Sequence, residues 1–197
     1  MADGATTSLK SRVSEAEWNA RVELAALYRL VALHGWDDMI FTHISARDDA
    51  HFVIHLHTVA GVGVAAQKEG LLPLGQNACL LQEQVAYHGY EGLALNHDER
   101  ERLVADLGDK PLMLLRNHGT LAVGQTAAQA WIGMFFLERA CAQQVAALSV
   151  GRDHVLMAPE AAQAETREQG KGIGFVAALA WPGALRMLDR RSPGYDV

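Results

Sequence analysis

The sequence lacks any long uninterrupted apolar segment. No stretch approaches the roughly twenty apolar residues that a membrane-spanning helix needs. Residues 1–8 also contain no apolar core of the kind that signal peptides carry. These two absences predict a cytoplasmic protein with no membrane partner.

Cysteine is scarce, since the 197 residues include only two. Cys79 and Cys141 lie among apolar residues, and the sequence has no Cys-x-x-Cys spacing. This pattern favours buried free thiols over a disulfide or a zinc knuckle. We assign neither cysteine a function.

Positive charge is in deficit, because 17 lysine and arginine residues face 23 aspartate and glutamate residues and give a formal net charge of −6 at pH 7. No basic stripe runs along the chain, and the sequence pI is about 5.8. Nucleic acid and anionic membrane surfaces are therefore poor partners. Small molecules and other proteins remain as the expected partners.

The length and the apolar content of 50% are enough for one well-buried domain and short for two. We predict a flexible N-terminus over residues 1–13 and a single domain over residues 14–197. Predicted strands and helices alternate along that domain without internal repeats, which indicates the α/β class.

Several helices have clear boundary signals. Ser14-Glu15-Ala16-Glu17 has the pattern of a capping box, and the helix that it opens should end near Gly35. A second helix is predicted from Val59 to Gly70. A short third helix is predicted to open with the cap at Asn96 and to stop at Gly108.

The longest predicted helix, Ala127–Leu148, begins after the cap residue Thr126. Its apolar residues cover too much of the circumference for one core-facing stripe. Either another subunit buries part of this helix, which predicts an oligomer, or it is the central helix of the monomer. Both interpretations are open at this point.

Four other segments are assigned to strands: Met39–Ser45, Cys79–Tyr87, Leu112–Leu115 and Leu121–Gly124, of which the last two form a hairpin. The segment Cys79–Tyr87 also fits a helix, because polar residues interrupt its apolar pattern, but a strand is preferred. Near the C-terminus, helices are predicted over Pro159–Gln169 and from Phe175 onward, with Pro182 bending or resetting the latter.

The best indication of chemistry is a strand that carries two histidines. Phe52, Ile54 and Leu56 alternate with the residues between them, so His55 and His57 should point to the opposite face together. Their Cα atoms would be about 6.5–7 Å apart, which allows both imidazoles to bind one metal ion.

A third ligand is predicted at His118, which follows an apolar run and precedes a glycine, a pattern typical of a turn at a strand end. The alternative is that His55 and His57 form a polar strand face covered by a helix and hydrogen-bonded there. Thr42, His43 and Ser45 could likewise line a pocket or simply be solvated.

Several motifs together carry a resemblance to a known family. They are Thr42-His43-Ile44-Ser45-Ala46-Arg47, His55-Leu56-His57-Thr58-Val59-Ala60-Gly61, Gly70-Leu71-Leu72-Pro73-Leu74, Val85-Ala86-Tyr87-His88-x-Tyr90, Leu115-Arg116-Asn117-His118-Gly119 and Ala184-Leu185-Arg186-Met187-Leu188-Asp189. The chain resembles the class II aldolase/adducin family, in its adducin-like branch, from about Arg21 to Tyr195.

The resemblance implies that residues 14–197 form a three-layer α/β/α sandwich with a central, mainly antiparallel sheet, assembled as a homotetramer. It implies a divalent metal, commonly zinc with manganese as the alternative, bound by His55, His57 and His118. It also implies that a small-molecule substrate binds near the following residues: Thr42, His43, Ser45 and Asn117.

The activity that the resemblance implies is that of a metal-dependent carbon–carbon lyase of the aldolase or decarboxylase type. The substrate would be a small oxygenated carbonyl compound, a sugar phosphate or a carboxylic acid, and the metal would stabilise an enediolate as the bond breaks. The alternative is a non-catalytic oligomerisation or interaction module like the adducin head, because adducin heads retain the same histidine motifs. A metallohydrolase ranks last, since it needs a general base that these motifs do not supply.

One departure from the family pattern concerns the region between Arg47 and His55. Relatives carry several dozen residues there, including a glutamate that serves as metal ligand or proton-transfer base. Asp48 and Asp49 are the nearest acids, and neither is assigned that role. Either the natural protein has a longer loop that this sequence omits, which we favour because the flanking motifs are intact, or the protein is truncated and catalytically impaired.

Overall fold

The structure is a computed structural model that describes residues 9–47, 51–93, 97–171 and 175–197. A short 3-10 helix, Leu9–Ser11, lies within the predicted flexible N-terminus, of which residues 1–8 are outside the described part. The strands are β1 (His43–Arg47), β2 (His51–Leu56), β3 (Val85–His88), β4 (Leu112–Leu115) and β5 (Gly119–Gly124). The α-helices are α1 (Glu15–Leu33), α2 (Val59–Ala65), α3 (Gln76–Leu81), α4 (Glu99–Leu107), α5 (Ala127–Leu148), α6 (Glu160–Lys171) and α7 (Phe175–Arg191).

The five strands form one sheet in the order β1-β2-β5-β4-β3. The pairs β1-β2, β2-β5 and β5-β4 are antiparallel, and β3-β4 is parallel. The prediction of a mainly antiparallel central sheet is therefore confirmed. Because β3 and β4 run in the same direction, the residues that follow both strands emerge at the same edge of the sheet.

Helices cover both faces of this sheet. The larger apolar core lies on one face, where α1, α2, α3, α5 and α7 contribute buried side chains such as Leu27, Val64, Ala78, Met134 and Leu188. A smaller cluster on the other face is formed by Ala86, Met113, Leu115 and Leu121, and Leu103 and Leu107 of α4 pack against it. This arrangement confirms the predicted three-layer α/β/α class.

The long helix α5 is the central helix of the chain. Trp131, Met134, Leu137 and Cys141 are all buried within the monomer, whereas Val145 near the C-terminal end is 39% exposed. The breadth of its apolar surface is therefore explained largely by contacts inside the chain. Among the residues that the structure describes, no helix is long and apolar enough to cross a membrane.

The predicted caps of α1 and α5 form. The Ser14 hydroxyl accepts a hydrogen bond from the Glu17 N–H at 3.1 Å, and the Thr126 hydroxyl accepts one from the Gln129 N–H at 3.2 Å. Each bond satisfies a backbone donor in the first turn of the helix. The predicted cap at Asn96 lies outside the described residues.

Two predicted boundaries are wrong. Residues 76–81 form α3 and not a strand, because Ala78, Cys79 and Leu81 bury a helical face, so the strand begins only at Val85. The helix α2 ends at Ala65, and a turn continues to Gly70, whose φ is +69°. Pro182 lies inside α7, which continues past it as one helix.

The strand predicted over Met39–Ser45 is also shorter than expected, because β1 begins at His43. Met39 has a φ of +46°, and the Phe41 N–H donates to the Asp38 carbonyl at 2.9 Å, so residues 38–41 form a turn. This turn places Asp38 near His57, which directly follows β2.

The two family motifs on β1 and β2 form a hairpin. Their register pairs His43 with His55 and Arg47 with His51. β1 runs without interruption through Ala46 and Arg47, and Asp48 and Asp49 lie outside the described residues.

Candidate metal centre

Three histidine side chains converge at one edge of the sheet. His55, His57 and His118 each offer a ring nitrogen, and these atoms all lie within 4.8 Å of one another. β2 buries Phe52, Ile54 and Leu56, which leaves His55 on the opposite face, and His57 directly follows the end of the strand. The site residues predicted from the two separate motifs are therefore together in space.

The turn between β4 and β5 brings His118 to the other two histidines. Asn117 adopts a left-handed conformation with a φ of +55°, which asparagine tolerates better than most residues. Leu56 pairs with Thr120 across β2 and β5, so His118, two residues before Thr120, lies beside the end of β2. Gly119 is required here because a Cβ atom would lie 2.3 Å from the Leu56 carbonyl oxygen.

The tautomer of His55 follows from its backbone partner. Its Nδ1 atom lies 3.0 Å from the Thr120 carbonyl oxygen, which can only accept a hydrogen bond. Nδ1 therefore carries the hydrogen, and Nε2 has a free lone pair. Burial lowers the pKa of His55 to about 4, with a further contribution from the neighbouring His57 and an opposing one from the Thr120 hydrogen bond.

His57 is oriented by an acid that sequence reasoning missed. Its Nδ1 atom is 3.5 Å from Asp38 Oδ2, and its Nε2 atom is 2.8 Å from Nε2 of His55. A hydrogen on Nδ1 facing the carboxylate leaves a lone pair on Nε2. Two lone pairs then face each other, an arrangement that is favourable only with a proton or a cation between them.

His118 completes the cluster as a half-buried imidazole. Its ring centroid lies 5.0 Å from that of His55 and 4.8 Å from that of His57. Burial lowers the pKa of His118, the charge of His57 lowers it further, and the carboxylate of Glu99 raises it. The neutral form, which binds metals, is thereby favoured at two of the three histidines.

The predicted substrate-binding residues differ in where they lie. The His43 ring is parallel to that of His55, with centroids 6.3 Å apart, so His43 is adjacent to the cluster. Thr42 is buried, and its hydroxyl accepts a hydrogen bond from the Asp38 N–H at 2.8 Å, so it supports the Asp38 turn. Ser45 pairs with Val53, farther from the cluster. Asn117 forms the turn that holds His118.

Two aromatic side chains also border the cluster. The Phe41 ring centroid lies 6.0 Å from that of His57, and the Tyr90 ring centroid lies 6.1 Å from that of His118. Both rings are about half exposed. Tyr90 could have been found from sequence, because it follows β3 as His118 follows β4, but only if the parallel pairing of these strands were known.

A second histidine network lies next to the first. His88, at the end of β3, is only 3% exposed, and its Nδ1 atom is 2.7 Å from Asp106 Oδ2. Its Nε2 atom has no hydrogen-bond partner among the described residues and lies 3.5 Å from Glu99 Oε1. Asp106 and Glu99 both belong to α4, so this network connects α4 to the sheet near His118.

A large cavity lies elsewhere in the described part of the chain. It has a volume of about 660 Å³, and its lining includes His51, Lys110, Gln125, Phe136 and Arg167. None of the three clustered histidines lines it. The histidine cluster is the better candidate site, because its donor atoms and their orientation have a chemical interpretation and those of the cavity do not.

The fold agrees with comparisons to known proteins. The family model for the "Class II Aldolase and Adducin N-terminal domain" matches residues 46–145. A Caulobacter vibrioides protein, provisionally assigned by name to aldolase class 2, is 56% identical over 99% of both chains. Rat alpha-adducin is 30% identical over 78% of this chain, which corresponds to 29% of adducin.

Solved structures give the same result. The crystal structure of an aldolase II superfamily protein from Pseudomonas syringae has a TM-score of 0.90 and 37% identity, and covers 96% of this chain and 99% of that protein. L-fuculose 1-phosphate aldolase from Glaciozyma antarctica has a TM-score of 0.73 at 18% identity, covering 92% and 96%, which supports the fold alone. The chain belongs to the class II aldolase/adducin family.

The Caulobacter protein is longer than this chain. Its alignment extends over 255 positions, although this chain has 197 residues, so the relative carries several dozen residues that are absent here. The family match begins at residue 46, at the junction of the two motifs. The additional length of this relative agrees with the expectation that relatives carry several dozen residues more than this chain.

Proposed function

We propose that His55, His57 and His118 bind one divalent metal ion, zinc first and manganese second, and that this centre belongs to a carbon–carbon lyase of the aldolase or decarboxylase type. The observation that carries the proposal is the pair of Nε2 atoms 2.8 Å apart. Each belongs to a ring whose Nδ1 atom faces an acceptor, Thr120 O or Asp38 Oδ2. Metal-binding histidines characteristically have this type of second partner.

The chemistry of the donor set fits a borderline-soft cation such as zinc, which prefers imidazole nitrogen. A metal bound here would supply Lewis-acid stabilisation of the negative charge that develops on a substrate oxygen when a carbon–carbon bond breaks. The residues of the chain hold the site in place for this purpose. Asp38 orients the imidazole of His57, and the Thr120 carbonyl orients that of His55. His43 and Tyr90 border the space beside them.

The substrate class that we propose is a small oxygenated carbonyl compound, a sugar phosphate or a carboxylic acid. The name of the Caulobacter relative supports this class, because it assigns that protein to aldolase class 2. We further propose that the protein acts in the cytoplasm as a homotetramer.

Metal analysis tests the site directly. Purified protein reconstituted with zinc or manganese should hold about one divalent ion per chain, and His57→Ala should lose most of it. His154→Ala is the matched control, since that exposed histidine lies in a 3-10 helix after α5. Wild-type protein with less than about a tenth of an ion per chain after reconstitution would overturn the assignment.

Turnover needs a separate experiment, because metal binding alone does not distinguish a lyase from an interaction module of the adducin-head type. The second function is favoured by the absent segment and by the similarity to alpha-adducin. The zinc-loaded protein should cleave at least one member of a panel of ketose 1-phosphates, aldose-derived hydroxy acids and β-keto acids, and His57→Ala should not. Full zinc occupancy with no cleavage across the panel would favour the interaction module.

A further inference from the structure

A buried acid outside the histidine cluster is hydrogen-bonded to both chain segments that carry the three histidines. Glu138 lies on α5 and is only 3% exposed. Its Oε1 atom accepts a hydrogen bond from the Thr120 hydroxyl at 2.8 Å, and its Oε2 atom accepts one from the Thr58 hydroxyl. Burying a carboxyl group costs free energy. A carboxyl group that is buried with two specific hydrogen-bond partners is therefore expected to have a role.

The two threonines are the residues that hold the histidines. Thr58 directly follows His57, and it also caps α2 by accepting a hydrogen bond from the Gly61 N–H at 2.9 Å. The carbonyl of Thr120 accepts the hydrogen bond from His55 Nδ1 at 3.0 Å. Thr120 also follows His118 by two residues. One carboxyl group therefore holds the end of β2, the start of β5 and the acceptor of His55.

The packing around this group is tight. A Cβ atom on Gly61 would lie 2.7 Å from Thr120 Cγ2, 2.8 Å from Thr58 Oγ1 and 3.0 Å from Glu138 Oε1. Because the network has no space to relax, a displacement of Glu138 must be transmitted to the two threonines. The backbone of both ligand-bearing segments would then move.

We propose that Glu138 is the positioning residue of the metal centre, acting through Thr58 and Thr120 to fix the orientation and tautomer of His55 and the spacing of His57 and His118. The predicted effect on metal affinity rests on the proposed function. The predicted effect on the position and tautomer of the histidines concerns the metal-free protein. Burial raises the pKa of the Glu138 carboxyl, and the two threonine hydroxyls lower it. A glutamine can make the same number of hydrogen bonds, since its oxygen accepts from Thr120 and its amide donates to Thr58.

The chain offers a matched control on the same helix. Gln144 is 1% exposed, accepts a hydrogen bond from the Leu72 N–H at 2.7 Å and donates one to the Gly70 carbonyl at 2.8 Å. Glu138→Leu and Gln144→Leu each remove a buried polar group from α5, but only Glu138 contacts the segments that carry the histidines. A merely structural role predicts the same result for both variants.

The first readout is the histidine tautomers in metal-free protein at neutral pH, measured by long-range proton–nitrogen NMR. Wild type, Gln144→Leu and Glu138→Gln should show His55 with its hydrogen on Nδ1. Glu138→Leu should show a mixture of tautomers for His55. A His55 signal in Glu138→Leu identical to that of wild type would overturn the proposal whether or not the protein binds zinc.

The second readout is zinc affinity by competition with a chromophoric chelator. Glu138→Leu should bind zinc more weakly by about tenfold or more, the size of effect expected for residues that support ligands. Gln144→Leu and Glu138→Gln should keep the wild-type affinity. If Glu138→Leu does not fold, Thr120→Val, which removes the hydroxyl at nearly constant volume, should show the same weakening, and wild-type affinity there would overturn the proposal. Wild-type protein that binds no zinc would instead overturn the proposed function, with the NMR result still deciding the role of Glu138.

Discussion

At the level of single residues, burial determines the form in which each histidine would meet a metal ion. His55 lies against the Thr120 carbonyl and has a pKa of about 4, so it stays neutral far below the ordinary range of histidine. The pKa of His118 is lowered for the same main reason. In both cases the lone pair needed for metal binding is available at a lower pH than in a free histidine.

The lowered pKa of His55 also predicts how the stability of the metal-free protein depends on pH. The unfolded chain binds a proton at this residue near pH 6.5, whereas the folded chain does so only near pH 4. The contribution of His55 to the free energy of unfolding is therefore fully present above about pH 6.5 and is lost as the pH falls towards 4. The melting temperature of wild type should fall more steeply across this window than that of His55→Asn, measured by calorimetry with a chelator present. Parallel curves for the two proteins would contradict the lowered pKa.

At the level of elements, α4 is a helix with little apolar support. Leu103 and Leu107 pack on the smaller core cluster, and the one residue of α4 that is buried is Glu99. The buried imidazole of His88 is held between Asp106 and Glu99 of this helix. Polar contacts to His88 therefore help to hold α4 on the sheet, close to His118.

Removing the acid that holds His88 should loosen α4. Asp106→Ala leaves Nδ1 of a buried histidine without its partner, which should lower the free energy of unfolding by about 1–3 kcal/mol. Urea denaturation measures this change, and hydrogen exchange should show faster exchange in α4 than in wild type. Asp109→Asn is the control, because Asp109 lies just after the helix and outside this network. Equal stability of Asp106→Ala and the control would show that the 2.7 Å contact contributes little.

At the level of the whole molecule, the large apolar side chains of α5 are mostly buried within the chain. This helix therefore gives no support for an oligomer. The monomer nevertheless exposes apolar side chains in its C-terminal part: Leu156 is 90% exposed, Phe175 60% and Leu179 69%. Apolar exposure of this kind, together with family membership, supports a symmetric assembly.

Light scattering coupled to size exclusion tests the assembly. The protein at micromolar concentration should have four times the 21.4 kDa mass of one chain. Leu179→Lys should shift the distribution towards smaller species if the exposed face of α7 is part of the interface. A wild-type mass equal to that of one chain would show that the C-terminal apolar residues are solvated.

The short connection between β1 and β2 gives a prediction for the mass of the natural protein. The 56% identical relative carries several dozen additional residues, and the motifs on either side of the junction are intact. We therefore expect protein from its natural source to be heavier than 21.4 kDa by several kilodaltons. Intact-mass spectrometry decides this. A mass of 21.4 kDa would establish the short hairpin as native and would favour the interaction module over the lyase.

The sequence by itself determined the α/β class, the caps of α1 and α5, the period-two pattern of β2 and the three clustered histidines. These follow from local chemistry, since a cap satisfies nearby backbone donors and alternation decides which face of a strand is buried. The motifs also carried the family resemblance. Local rules were insufficient at residues 76–81, where a helix formed because its apolar face packs against neighbours distant in sequence.

Only the tertiary structure decided which polar groups surround the histidines. Asp38 reaches His57 through a turn at Met39, Tyr90 meets His118 because β3 and β4 are parallel, and Glu138 reaches both histidine segments from α5. The spacing in sequence between the residues of each contact follows neither the helix period nor the strand period, so no sequence pattern predicts the contact. The orientation of an imidazole depends on such long-range contacts, so the sequence motifs could predict the histidine cluster but not the groups that set its tautomers.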